Sequence, residues 1–150
     1  PFAKTWGLQN FRSFGFQAEF LDGENLDRFS RFDFGIFGDS TVAGYQSGLV
    51  RADEARGIHV NYGLNFGDLF RLEAEGDVVW ATALDTGLDN ELLAGVGLEG
   101  SFPLPWQLLT NFEIGYAVAG PGEGSVAARI VFLKLFPKKQ GKRKKGKGKP

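Results

Sequence analysis

The chain has 150 residues, 43% hydrophobic and 14% aromatic, with 15 Phe, 22 Gly, one His and neither Cys nor Met. That length sets one domain around one core, and no run of about 18 apolar residues exists to form a transmembrane helix. Without Cys there is no zinc–cysteine site, iron–sulfur ligation, thiol catalysis or disulfide scaffold, and a lone His excludes a multi-histidine metal site.

The formal charge of −1 hides a split. Lys138, Lys139, Lys142, Arg143, Lys144, Lys145, Lys147 and Lys149 crowd the last fourteen residues, where no acid occurs. Residues 1–136 keep the other nine of the 17 cations against all 18 acids, a net of −9. The sequence starts at Pro1 with no charged segment followed by an apolar one. A leader is therefore read as already removed, or the N-terminus as trimmed.

Period-two alternation dominates, the mark of strands with two unlike faces. Eight strands are expected. In 8–21, Phe14, Phe16, Ala18 and Phe20 alternate with Ser13, Gly15, Gln17 and Glu19. In 27–37, Phe32, Phe34 and Ile36 alternate with Arg31, Asp33 and Gly35, and 41–50 follows with weaker patterning. In 57–66, Val60, Tyr62, Leu64 and Phe66 oppose His59, Asn61, Gly63 and Asn65. In 69–80, Phe70, Leu72, Ala74, Val78 and Trp80 oppose Arg71, Glu73, Glu75 and Asp77. A helix would spread these charges all round its surface. In 91–102, Leu92, Ala94, Val96 and Leu98 face away from Gly95, Gly97 and Glu99. In 106–119, Phe112, Ile114, Tyr116 and Val118 face away from Asn111, Glu113, Gly115 and Ala117. The last strand, 125–136, is apolar on both faces except for Arg129 and Lys134.

Short connections at 38–40, 67–68 and 103–105 alternate with longer ones at 22–26, 51–56, 81–90 and 120–124. In an up-and-down meander this gathers the short turns at one end. Residues 137–150, Lys/Gly-rich with no apolar residue after Phe136, are expected to be a disordered tail.

Eight antiparallel strands without a long crossover favour a closed barrel. A soluble barrel of the lipocalin type would turn the apolar face inward and carry an apolar ligand. A membrane barrel inverts the faces. Glycines on the polar face, at 15, 35, 63, 95, 97 and 115, suit a narrow interior and would only weaken a solvated one. The same face mixes signs at Glu19, Arg31, Asp33, Arg71, Glu73, Glu75, Glu99, Glu113 and Arg129, residues able to pair across a lumen as a charge network. Strands of about 10–12 residues match a tilted membrane crossing. Phe37, Phe66, Phe70, Phe102, Trp106 and Phe136 fall near the short-turn end, with Trp6 before the first strand and Trp80 toward the other end, as interfacial girdles would. The expected fold is all-β: an eight-stranded antiparallel up-and-down transmembrane β-barrel over residues 1–136, with a disordered basic C-terminal tail over 137–150.

Over residues 6–136 this pattern resembles the small eight-stranded outer-membrane proteins of Gram-negative bacteria, the OmpA-domain and OmpX class. The final Phe136 resembles the C-terminal aromatic signal read by the barrel-assembly machinery, although Lys134 stands where the class usually has an apolar residue and fourteen residues follow the Phe. The resemblance implies an outer-membrane location with a lipid bilayer as surroundings, a structural or interaction role, and no cofactor. With an even strand count, both termini are expected in the periplasm.

Some small outer-membrane barrels modify lipid A with a His and a Ser in a pattern resembling His-x-Ser-Asn. Here the run is His59-Val60-Asn61, with Asn in the nucleophile's place, and Ser40, Ser47 and Ser101 do not obviously replace it. No catalytic residue and no metal site is expected. Glu73, Glu75 and Asp77 share one strand face, where Arg12, Arg31, Arg71 or Arg129 would neutralise them. Asp53, Glu54, Asp85 and Asp89 lack calcium-loop spacing. The glycine-rich runs at 95–97 and 120–124 lead into no helix and are not phosphate loops. The tail cations suit anionic polymers without sequence readout, so peptidoglycan or anionic lipid is the expected partner, and no specific nucleic acid.

Overall fold

In the computed structural model, the described residues are 1–23, 26–27, 29–35, 38–67, 70–83, 88–105 and 108–134. Nine strands occur among the described residues: β1 (Phe2–Leu8), β2 (Arg12–Asp22), β3 (Phe32–Phe34), β4 (Val50–Ala52), β5 (Glu54–Phe66), β6 (Phe70–Ala83), β7 (Leu88–Leu104), β8 (Leu108–Ala119) and β9 (Val126–Lys134). Seven of them form one antiparallel sheet in the order β1-β2-β5-β6-β7-β8-β9, and β3 pairs with β4 alone. No α-helix occurs among the described residues.

The all-β, mostly antiparallel expectation holds. Neither eight staves nor closure into a barrel is seen among the described residues: the main sheet has seven strands there, and no described strand bridges β1 to β9. Two differences account for this. Residues 2–8 form a strand that the expected layout lacked, because Lys4 interrupts the apolar series Phe2, Trp6 and Leu8. It turns into β2 through Asn10 and Phe11, both with left-handed backbone at φ 61° and 60°. The expected strands 27–37 and 41–50 are not staves. Their alternation survives only in the short β3–β4 pair, with Phe32 opposite Ala52 and Phe34 opposite Val50. Gly44 and Gly48, at φ 83° and 85°, bend the chain where an extended strand was expected, and Tyr45 N–H donates to the Val42 carbonyl across one such turn.

Residues 23–53 thus form an insertion between paired neighbours, since Asp22 opposes Glu54 directly. Short connections join β1 to β2, β5 to β6 and β7 to β8 at one end. The C-terminal ends of β2, β6 and β8 lie at the other, where the insertion begins. The odd count has a topological consequence. Lys134 opposes Leu108 at the short-turn end, while β1 runs toward that end from Phe2. The two ends of the described chain therefore lie apart, contrary to the even-stranded expectation.

The side-chain faces follow the alternation. Outward-facing Ile130 and Phe132 are 65% and 61% exposed, whereas Asp77 and Glu113 on the opposite face are each 4% exposed. The core lies against this inner face at the long-connection end. Phe34, Val42, Tyr45, Val50 and Ala52 of the insertion pack there on Ala55, Val79, Ala81, Leu93 and Ala117. A fully buried Val or Leu contributes about 1.5–3 kcal/mol, so the insertion adds much of the apolar stabilisation.

Candidate functional site

The sheet curls so that residues of all seven strands border one cavity of about 290 Å³, from Ala3 and Thr5 on β1 round to Arg129 on β9. The register arranges the inner face in rows. Toward the short turns, Glu73, Glu99, Glu113 and Arg129 lie side by side on β6, β7, β8 and β9. Arg129 Nη2 meets Glu113 Oε2 at 2.5 Å, and Arg71 Nη2 meets Glu73 Oε1 at 2.5 Å, so guanidinium groups flank the carboxylate row. Two rows higher, Gln17, His59, Asp77, Gly95 and Ala117 line up across β2, β5, β6, β7 and β8. His59 Nδ1 lies 2.9 Å from Asp77 Oδ1, and Nε2 lies 3.1 Å from Glu19 Oε1, close enough for an ion pair but not aligned as a hydrogen bond.

The insertion enters this site from above. The Ser40 hydroxyl donates to Glu19 Oε1, and the Ala43 N–H donates to Asp77 Oδ2 at 2.8 Å. Tyr45 donates its hydroxyl to the Ala119 carbonyl, and Ser125 Oγ donates to the Gly44 carbonyl at 2.8 Å. Small residues on β7 and β8 make room. A Cβ on Gly95 would collide with the Ala43 carbonyl, and one on Gly115 would collide with Gly44 N. Gly95 and Gly115 therefore seat a specific stretch of main chain, a stronger requirement than a narrow interior. Burial pushes the Tyr45 phenol pKa upward.

The expected charge network divides. Glu19, Glu75, Glu99, Glu113 and Arg129 line the cavity, and Glu73 joins them near the short turns with Arg71. Arg31 and Asp33 do not join it, because the segment carrying them is not a stave. Arg31 Nε instead pairs with Asp53 Oδ1 at 2.9 Å at the base of the insertion, and Asp33 Oδ1 accepts the Gly48 N–H at 2.6 Å. Gly35, expected on the polar strand face, lies in the insertion too. The tail residues Lys138 to Lys149, and Phe37, Trp106 and Phe136 of the expected girdles, lie outside the described residues. The site also contains residues that pattern reading left unassigned. Asp77 and His59 were legible as inward positions on neighbouring strands. Ser40 and Ala43 were not, because nothing in the sequence says that the 40–46 segment crosses the inner face.

The polar groups of the arrangement face one another. Both His59 nitrogens face carboxylates, and the Ser40 hydroxyl is turned to Glu19. No group of His, Asp and Glu among the described residues is arranged to hold a metal ion. The outer face carries rings at both ends. Phe66, Phe70, Phe102 and Phe112 follow one another at centroid spacings of 5.9, 6.5 and 6.4 Å near the short turns, beside Trp6 stacked on Phe14 at 5.7 Å. At the other end the Arg56 guanidinium lies 5.4 Å from the Phe20 ring, on the strand opposite Trp80. No family model, curated protein or solved structure matches the chain.

Proposed function

We propose that the chain is an outer-membrane β-barrel protein of Gram-negative type, similar in class to the small OmpA-domain and OmpX barrels, with a structural or interaction role. The single observation that carries this is the sorting of the two faces. Ile58, Val60, Tyr62, Leu98, Ile114, Tyr116, Val118, Ile130 and Phe132 are turned out to the surroundings, and buried Glu73, Asp77 and Glu113 are turned in. A soluble protein would leave this apolar belt in water, and a large exposed apolar surface marks a contact with membrane or partner. A lipid environment removes that cost and requires the polar groups to be satisfied internally.

The aromatic spacing supports the reading. Phe70 and Trp80 are ten residues apart on β6, roughly 33 Å along a strand and about 23 Å across a bilayer at a ~45° tilt. The seated insertion makes the lumen closed at the long-connection end, so the protein acts as a surface or an anchor rather than as an open pore. In such barrels the short turns are periplasmic, which sends the chain beyond Lys134 into the periplasm. There the basic tail would contact peptidoglycan or anionic lipid. Insertion would run through the barrel-assembly machinery. The lipocalin-like carrier needs the opposite sorting of faces, and a lipid A enzyme needs a serine on the histidine, where Glu19 stands instead.

The test is phase partition with detergent-dependent folding and heat-modifiable gel migration. The protein should fold and stay monodisperse only with detergent or lipid. A detergent-free monomer with full β signal would overturn the reading.

A further inference from the structure

An antiparallel sheet of seven strands has edges that run in the same direction. Here β1 and β9 are those edges, both point toward the short-turn end, and no described strand pairs with the outer side of either. Yet both border the same cavity, through Ala3 and Thr5 on one side and Arg129 on the other. The gap between them is a seam with a row of backbone donors and acceptors on each wall. A strand running against both edges would form antiparallel ladders on both sides, the ladder type of every other neighbour in this sheet.

The chemistry behind the seam is biased. Glu19, Glu75, Asp77, Glu99 and Glu113 line the cavity against His59 and Arg129. Glu75 Oε1 and Glu113 Oε1 are buried without a hydrogen-bond partner, and the Glu113 side chain is only 3% exposed. Of the inward residues flanking the seam, Ala3, Thr5 and Gly7 on β1 and Ala127 on β9 are small, while Arg129 and Val131 on β9 are larger and Arg129 is held by Glu113. The outward neighbours are Phe2, Trp6 and Leu8 on one side and Ile130 and Phe132 on the other, all exposed.

We infer that the β1–β9 seam is an acceptor site for one extended strand supplied from outside residues 1–150, antiparallel to both edges, with apolar side chains outward and basic or hydroxyl side chains inward. The inward cations and hydroxyls supply donors to Glu75 and Glu113, and the outward apolar residues complete the belt. The chain's own Lys/Gly segment 138–149 has no apolar residue to place outward and does not meet this description. The inference rests on the membrane-barrel reading, which alone makes an open edge intolerable.

The chain contains no Cys, so engineered thiols report cleanly. The probe is a nine-residue synthetic peptide, Val-Ser-Leu-Arg-Val-Cys-Leu-Arg-Val. It is compared with a scrambled peptide of the same composition and with one carrying Glu for both Arg. Each is added to Thr5→Cys and, separately, to Ala127→Cys protein folded in detergent micelles. The alternating peptide should cross-link to both variants at least tenfold more than either control. Without peptide, Thr5→Cys combined in turn with Ala127→Cys, Arg129→Cys and Val131→Cys should form no intramolecular disulfide. One intervening strand separates the edges by about 10 Å, beyond the ~7 Å a disulfide spans.

A disulfide in any double variant would mean that β1 and β9 pair directly and would overturn the inference. Dimer-only cross-links would assign the seam to a second copy. Equal capture of the alternating and scrambled peptides would remove strand recognition. Flotation of the unmodified protein with vesicles is scored separately: its failure sinks the membrane reading, whereas a folded, floating protein with the wrong cross-links sinks only the seam.

Discussion

The backbone N–H of Ala43 donates to Oδ2 of Asp77 at 2.8 Å, while Oδ1 of that carboxylate holds His59 Nδ1 at 2.9 Å. One buried side chain thus joins the insertion to the polar row of the sheet. Replacing it by Ala strands a donor, which costs about 1–3 kcal/mol. Asp77→Ala should loosen residues 40–46 and raise protease cutting within 23–53, with Asp77→Asn, which keeps an acceptor, less affected. Equal cutting in wild type and Asp77→Ala would show that the insertion does not hang on this bond.

The glycine seat gives a sharper version. Gly95→Val and Gly115→Val place methyl groups where the 43–44 main chain runs. Each should destabilise by at least the 1–3 kcal/mol typical of overpacking. Gly7→Ala, with nothing near its added Cβ, should stay close to neutral. In planar bilayers the wild-type protein should show no large steady conductance, and the two valine variants should show more. A steady large channel in the wild type would contradict a seated insertion.

Outward and inward positions should differ in cost. Leu72→Arg or Ile114→Arg should lose about 2–4 kcal/mol at the bilayer midplane. Gln17→Asn, on the inner face, should cost far less. Unfolding in lipid vesicles reads both, and equal costs would reverse the assignment of faces.

Tyr45 separates packing from hydrogen bonding. It is fully buried and donates to the Ala119 carbonyl. Tyr45→Phe should cost about 1 kcal/mol, and Tyr45→Ala about 3–5 kcal/mol, as for other large aromatic truncations. Indistinguishable variants would mean that the ring is not part of the core.

Deletion of residues 138–150 should leave folding intact, since no apolar residue is removed. It should abolish co-sedimentation with peptidoglycan or anionic vesicles. Exposed charges are screened beyond about 8 Å at physiological ionic strength, so binding by the full chain should fall steeply with salt. Unchanged sedimentation would make the tail a passive extension, and protease removal of it on intact cells would invert the orientation.

What was legible in the sequence was what period two encodes. The strands around Tyr62, Leu72, Leu98 and Ile114 fall where alternation puts them, and Glu73, Glu99 and Glu113 line up as neighbours because their strands pair in chain order. Alternation says nothing about which strands pair. Phe32-Asp33-Phe34 alternates as well as any stave, yet its partner is Val50–Ala52 and not the main sheet. Lys4 hid β1 because a cation on the outward face breaks the pattern, although it sits 5.2 Å from the Trp6 ring. The seating of Ala43 on Gly95 and Gly115 depends on contacts between segments more than fifty residues apart, and no local pattern carries that.

That separation orders assembly in time. Residues 40–46 rest on Gly95, Gly97, Gly115 and Ala117, a floor made by two later strands. The segment must wait, apolar side chains exposed, until β7 and β8 have joined the sheet. Contacts this distant in sequence are slow to form, and the insertion can seat only on a floor that β7 and β8 have already built.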